Sequence, residues 1–572
     1  MTRAGSRSTL APRRTLPATV VDDTVAAAAI LLDKWHPEDS SSGRSLFLDS
    51  TTPDEADAFL RAAKDLHRAM LFYASGLTAK DVHGGGHGLI QAQELLDTAM
   101  RRLQLELQIL LSSLPNVLKF EEDDDVDQST DALRETCGHL RAVAEAMLAA
   151  GYGQECVSVF KERRRASVAS ALQRLHGFSS SLQQATINKL SWEQIEPKMQ
   201  SWLSGARAAF ASVFAGERDL CDRVFAGENA SVGDALFSAV AEDKAMIILA
   251  FAEAAVARAR RAPERLFRVL DVHDALTETI IPSIVAAFGD KSEVTARAVT
   301  LAMTKVGNAA RGMVASFEAA IEKEPAKATV AGGAVHPLTR YVMNYLVFLA
   351  DYENALARIY SAEQFTDTSS SVGSGSDTAS SSSSDLSMSS TSSSSMKLAT
   401  LSLWSNPIGW LVSVLMRKLD AKAGNYREAA LSYLFLANNT HYVAKKVGGG
   451  TKLEAVLGEE WAEAQRAKAR GYVDVYVRAA WGTKVLRGGA MDEAVVEAAT
   501  MQERWVAADD DMGEALRAVA KAAVVPTYRM FYRRQGAAAR LTPGDVIGMI
   551  DGLFGGRASD SDISSSNSLV ST

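Results

Sequence analysis

Apolar residues along this chain recur every three or four positions. In LLDTAMRRLQLELQILLSSL, residues 95–114, Leu96, Met100, Leu103, Leu107, Leu110 and Leu114 form one stripe opposed by Arg101, Arg102, Gln104 and Gln108, which predicts an amphipathic helix with one buried face. The same pattern returns across residues 245–257, 412–423, 429–447 and 495–505. Strand alternation bounded by hairpin turns is nearly absent. The pattern therefore predicts an all-α chain of roughly 18 to 22 helices at ordinary helix and connection lengths. Helices with a single apolar stripe must pair to cover it, so stacked bundles follow.

The densest apolar run lies in HPLTRYVMNYLVFLADYENAL, residues 336–356. Its uninterrupted core is too short to span a bilayer, which takes roughly 20 residues of helix. Leu338, Val342, Tyr345, Leu349, Tyr352 and Leu356 again follow helical spacing, and Pro337 suits a first turn, where its missing N–H costs nothing.

Three stretches break the pattern. EEDDDVD, residues 121–127, reads as a solvated acidic loop. GGGHG, residues 84–88, reads as a flexible connection between helices; no Gly-Lys-Ser/Thr follows that would make it a phosphate cradle. Residues 366–395 hold 17 serines in 30 positions, too little apolar surface to offset ordering entropy, and read as a disordered loop within a domain. Residues 558–572 read as a similar tail. Residues 1–21, with Arg3, Arg7, Arg13 and Arg14 and no acid before Asp22, read as a disordered basic tail of a composition shared with organelle transit peptides.

At 572 residues and 47% apolar content, two or more domains or one extended repetitive architecture are expected. With 61 basic and 69 acidic residues, a net charge of -8 argues against general nucleic-acid binding. Cys137, Cys156 and Cys221, odd in number and widely spaced, read as reduced core thiols. No secretory segment and no run of about 18 apolar residues occurs, so a cytoplasmic or peripheral protein is expected.

Signals for chemistry are sparse. The nine histidines show no metal-ligand spacing, and no P-loop, nucleophile elbow or dinucleotide fingerprint is present. No cofactor, metal or catalytic residue is assigned. RRRAS, residues 163–167, places Ser167 after three arginines, a shape that basophilic kinases accept, or else an exposed basic helix face. Residues 521–557 hold six basic residues, Lys521, Arg529, Arg533, Arg534, Arg540 and Arg557, against Asp545 and Asp551, a local +4. Such an end is either a surface for anionic partners or an internally paired, solvated face.

A series of motifs carries a resemblance. In order they are MRRLQLELQILL from Met100, SVFKERRRASVASALQRL from Ser158, HPLTRYVMNYLVFLADY from His336, KLDAKAGNYREAALSYLFLANNTHYVAKKV from Lys418, LGEEW from Leu457, YVRAAWGTKVL from Tyr472, VVPTYRMFY from Val524 and LTPGDVIGMIDGLF from Leu541. Over about residues 95–556 the chain resembles the seventy-kilodalton subunit of the exocyst, Exo70, in its plant form. The resemblance implies an elongated rod of consecutive antiparallel helical bundles: an N-terminal helical region at 22–160, then the family's rod at 161–557. It implies a non-catalytic subunit that tethers secretory vesicles to the plasma membrane during exocytosis, or a helical adaptor acting outside the complex in immunity or autophagy-linked transport. The implied partners are other exocyst subunits, Rho-type small GTPases, and phosphatidylinositol 4,5-bisphosphate on an anionic membrane surface. Lipid would be bound through Lys521, Arg529, Arg533, Arg534 and Arg540. Lipid-binding relatives carry further lysines near the position of Lys521, where this chain has apolar residues 522–525.

Overall fold

The computed structural model describes residues 18–37, 44–48, 53–76, 85–119, 128–175, 189–259, 262–327, 329–370, 406–482 and 491–554. Among these residues there are helices and no strands, as the three-and-four spacing requires. The acidic run 121–127, most of the serine-rich segment and the tail 558–572 lie outside the described residues. Two expected boundaries move. A helix begins at Gly85, inside the glycine run read as a connection, and another continues to Ser370, into the segment assigned to the loop. Two compact units divide the chain, Met1–Arg258 with Val272–Lys305, and Ala259–Asp271 with Val306–Thr572. The boundary read between residues 160 and 161 falls inside a helix, at the fully buried Phe160.

In the first unit the helices are α1 (Ala18–Lys34), α2 (Pro53–Gly76), α3 (Gly85–Ser113), α4 (Gln128–Ala149), α5 (Gly153–Arg174), α6 (192–224) and α7 (Ala230–Ala259), followed by parts of α8 (266–288) and α9 (293–323). The expected α3 stripe behaves as read, with Leu96, Met100, Leu103, Leu107, Leu110 and Leu114 buried. Arg102 does not. Placed on the solvent side by its charge, it is 1% exposed, because Glu106 one turn later pairs with it at 3.1 Å and the Trp35 ring lies 5.4 Å beneath its guanidinium. Glu106 in turn accepts from the Ser45 hydroxyl and, at 2.9 Å, from the Leu46 amide, so one buried pair pins the 44–48 segment to α3.

A second buried pair joins α5 to α6. Arg164 donates from Nε and Nη2 to both Glu217 oxygens at 2.8–3.1 Å, and both side chains are 1% exposed. The basic-face reading of residues 163–167 is thereby corrected at Arg164, whose charge is neutralised in the core. Arg165 reaches Asp243 at 2.5 Å on the surface. Cys137, Cys156 and Cys221 are buried free thiols; burial pushes Cys137 up to about 11 and Cys156 up to about 12. Three π-helical segments, Ala209–Phe214, Ala275–Ile280 and Leu301–Val306, interrupt α6, α8 and α9. Pro282 follows the second of them, where it supplies no N–H to the ladder.

The second unit takes the remaining parts of α8 and α9 together with α10 (Pro337–Leu349), α11 (Glu353–Ser370), α12 (Pro407–Ala423), α13 (Ala429–Val447), α14 (Lys452–Leu457), α15 (Glu459–Trp481), α16 (Met491–Gln502), α17 (Asp510–Gln535) and α18 (Pro543–Asp551). The opening of α10 follows the sequence reading: Pro337 occupies the first turn, and His336 Nδ1 accepts from the Leu338 amide at 3.0 Å. Val342, Tyr345, Leu349 and Leu356 are buried, whereas Leu338 and Tyr352 are half-buried. The chain turns through a 3-10 segment, Ala350–Tyr352, before α11. Tyr345 stacks on Phe317 with centroids 4.0 Å apart. A further apolar core gathers Tyr476, Trp481, Trp505, Tyr528, Val546 and Ile550 from the C-terminal helices.

The core of this unit contains two adjacent amides. Asn438 and Asn439 on α13 are both 0% exposed. Asn438 donates to the Gly333 and Val506 carbonyls at 2.7 and 2.8 Å and accepts from the Ala508 amide at 2.9 Å. Asn439 accepts from the His336 amide at 2.9 Å and the Thr339 hydroxyl at 2.7 Å, and donates to the Phe435 carbonyl at 2.7 Å. The two strapped segments also touch each other, Val506 N donating to Gly332 O at 2.9 Å. Gly332 has φ +66, and a Cβ there would stand 2.6 Å from the Arg504 carbonyl oxygen, so the close approach requires glycine.

Two outcomes follow for stability. Asn439→Ala strands the buried His336 amide and Thr339 hydroxyl, and is expected to cost about 2–4 kcal/mol at the usual penalty per unsatisfied group, whereas Arg470→Ala, which removes a surface pair with Glu463, should cost under about 1 kcal/mol; denaturant midpoints of the two variants make the comparison. Glu217→Gln should lose about 3–5 kcal/mol by leaving Arg164 charged and buried. The double variant Arg164→Met/Glu217→Met should recover much of that loss, measured as a coupling energy in the corresponding mutant cycle.

Candidate functional site

The basic C-terminal end is built on α17. Asp509 caps its start, accepting from the Met512 amide at 2.9 Å, and Asp510 and Asp511 occupy the first turn. Arg533 and Arg534 occupy the last. Acid at the N-terminus and base at the C-terminus both complement the helix dipole. Val524, Val525 and Tyr528 face the core. Arg529, Arg533 and Arg534 are exposed, with no ion pair among the described residues. Arg529 and Arg533 stand one turn apart and share a face.

The other two expected lipid-binding residues are placed differently. At about 100° per residue Lys521 is rotated about 80° from Arg529, toward the packed side, and its ammonium meets Asp551 of α18 at 2.6 Å. Arg540 lies beyond the helix, where its guanidinium meets Glu493 at 3.3 Å and its amide donates to Asp492 at 2.8 Å. It borders a cleft of about 640 Å³ that also has Val496, Thr500 and Met501 in its wall. Burial pushes the Asp492 carboxyl up, but hydrogen bonds from the Tyr528 hydroxyl and from the Arg540 and Leu541 amides more than offset it, leaving the group below its usual range. The uncompensated positive charge of this end is therefore carried by Arg529, Arg533 and Arg534.

Ser167 sits within α5, half-buried, with its hydroxyl 3.0 Å from the Asn116 side chain. Of the arginines before it, Arg164 is committed to Glu217 and Arg165 to Asp243, so a kinase reading an extended RRRAS segment would have to unwind the helix and break both pairs. The buried pairs themselves were beyond pattern reading: Glu217 is 53 positions from Arg164. Glu106, four residues after Arg102, was the one visible hint. Among the described residues no helix is long and apolar enough to cross a membrane, and no three His, Cys, Asp or Glu side chains are grouped to hold a metal ion.

Comparison with known proteins gives one answer from three directions. Residues 200–486 match the family model for the C-terminal region of the Exo70 exocyst complex subunit, and residues 24–113 match that for the N-terminal region of the exocyst complex component Exo70. The chain is 31% identical over 480 residues to exocyst complex component EXO70B2 of Arabidopsis thaliana, covering 78% of this chain and 74% of that protein. It is 26% identical over 581 residues to EXO70A1 of the same plant, covering 90% and 84%. Among solved structures, the crystal structure of the S. cerevisiae exocyst component Exo70p aligns over 93% of this chain and all of that one, with a TM-score of 0.60 at 11% identity, a likeness that carries the fold alone. With its helical stripes, its ordered motifs and both family regions in register, this chain belongs to the Exo70 family of exocyst components.

Proposed function

We propose that this chain is a non-catalytic subunit of the exocyst that helps hold secretory vesicles at the plasma membrane before fusion, and that the arginine face of α17 meets the anionic phosphoinositide headgroups of that membrane. Membership of a family whose relatives are named exocyst components supports the first part. The observation that carries the second is the set of three exposed arginines, Arg529, Arg533 and Arg534, without ion-pair partners on the last two turns of one helix. Each basic residue near an anionic surface contributes about 1 kcal/mol. Three give about 3 kcal/mol, roughly two decades in affinity. That is a weak contact for one chain and an effective one in an assembly whose subunits touch the same membrane together, because each added contact is then intramolecular.

Two measurements test this reading. Affinity isolation of the tagged chain from plant cells should bring down other exocyst subunits; their absence would favour an adaptor working outside the complex. In flotation with vesicles containing phosphatidylinositol 4,5-bisphosphate, Arg529→Glu/Arg533→Glu should bind at least about 25-fold more weakly than wild type, from about 2 kcal/mol lost. Raising salt should weaken wild-type binding as the Debye length shrinks. Equal flotation of the two proteins would remove the arginine face from the membrane contact.

A further inference from the structure

We infer that Met530, backed by Pro526, forms an apolar ridge that enters the bilayer interface between flanks of arginine, so that the end of α17 binds a lipid surface in preference to a soluble polyanion of equal charge. The inference rests on the membrane contact proposed above and concerns how that contact is made.

The helix geometry sets the ridge. At about 100° per residue, with Arg529 as origin, Arg533 falls near 40°, Pro526 near 60°, Met530 near 100° and Arg534 near 140°. The core-facing Val524, Tyr528 and Val525 fall near 220°, 260° and 320°, and all three are buried, which confirms the phase. The outward arc therefore has an apolar centre, Pro526 and Met530 one turn apart, with Arg529 and Arg533 on one flank and Arg534 on the other. Met530 is 58% exposed and Pro526 is exposed, so neither is needed by the core. No Asp or Glu occurs in residues 515–535, and no carboxylate on α17 itself neutralises the arc.

That layout has a preferred occupant. A face that reads only phosphate gains nothing from a thioether at its centre, and exposing the methionine to water brings no return. At a bilayer the same layout is complementary in both respects. Arginine heads stay among the phosphates while their stems run along the apolar boundary, and the unbranched, adaptable methionine side chain leaves water for the acyl region. Partial burial of one such side chain is expected to strengthen vesicle binding about tenfold, and this part of the affinity does not depend on ionic strength, since screening acts on the charges alone.

The test compares three full-length proteins, wild type, Met530→Gln and Arg529→Glu/Arg533→Glu, in flotation with vesicles of phosphatidylcholine, phosphatidylserine and phosphatidylinositol 4,5-bisphosphate at two salt concentrations, and in calorimetric titration with inositol hexakisphosphate. Glutamine keeps the helix and the charge and removes the apolar tip. Met530→Gln should float about tenfold more weakly than wild type, lose the salt-resistant fraction, and bind inositol hexakisphosphate as wild type does. A polarity-sensitive dye on Met530→Cys gives a second readout, selective because Cys137, Cys156 and Cys221 are buried. Its emission should move to the blue with vesicles and stay unchanged with inositol hexakisphosphate. If Met530→Gln floats like wild type and the dye does not respond, while the double arginine variant fails to float, the ridge is overturned and the electrostatic contact stands. If wild type itself does not float, both fall.

Discussion

The second unit depends on the demand that buried amide groups be paired. Asn438 and Asn439 stand at successive positions of α13 with no exposure, and each satisfies polar backbone from a different part of the chain: Asn438 bridges Gly333 to the 506–508 segment, and Asn439 fixes the start of α10 through the His336 amide and the Thr339 hydroxyl. The two irregular segments cannot pair their own N–H and C=O groups as a helix does, so without these side chains they could not run through the interior. The packing of α10 against α13, and of the Trp505 connection beside it, is thus set by hydrogen bonds whose geometry admits one register. Tyr426 adds a further tie, its hydroxyl within 3.0 Å of both the amide and the carbonyl of Val330. The first unit uses charge for the same purpose, with Arg102 and Glu106 holding the 44–48 segment and Arg164 and Glu217 joining α5 to α6.

The helices were legible because a helix that buries one face must write that face into its sequence every three or four residues. The stripe of α3 and the proline start of α10 needed nothing more. What failed to show were features whose cause lies far along the chain or outside helical phase. Arg102 and Arg164 look like solvent residues, since polarity says nothing of a partner's position. The pair of asparagines in LFLANNTHYV looks like an ordinary polar face. Each π segment adds to the residues per turn, so the stripe after it is out of phase with the stripe before it. The periodic run through residue 505 overshoots α16, which ends at Gln502; Trp505 is buried on an irregular connection instead.

The site was legible in outline and altered in detail for one reason. Counting charge over residues 521–557 includes Arg540 but not Asp492 and Glu493, which fold against it from an earlier helix. It also counts Lys521 and Asp551 as independent when they are partners. A linear window measures composition, whereas an anion responds to charge left over after pairing. That remainder lies on three arginines, and their placement around Met530 became visible only once the buried positions Val524, Val525 and Tyr528 had fixed the rotation of α17.

The amide clamp also has a consequence in time. Asn438 lies 105 positions after Gly333, and Val506 a further 68 positions on. At a synthesis rate of roughly 5–20 residues per second, the backbone around Gly333 leaves the ribosome about 5–20 s before Asn438 emerges, and Val506 follows about 3–14 s after that. Throughout this interval the entry to α10 carries polar groups whose partners have not yet been made, and the aromatic run behind it has no cover. For a newly made chain, the segment that is most firmly fixed in the finished fold is the one that waits longest unprotected, and it is there that a nascent-chain chaperone has the longest opportunity to bind.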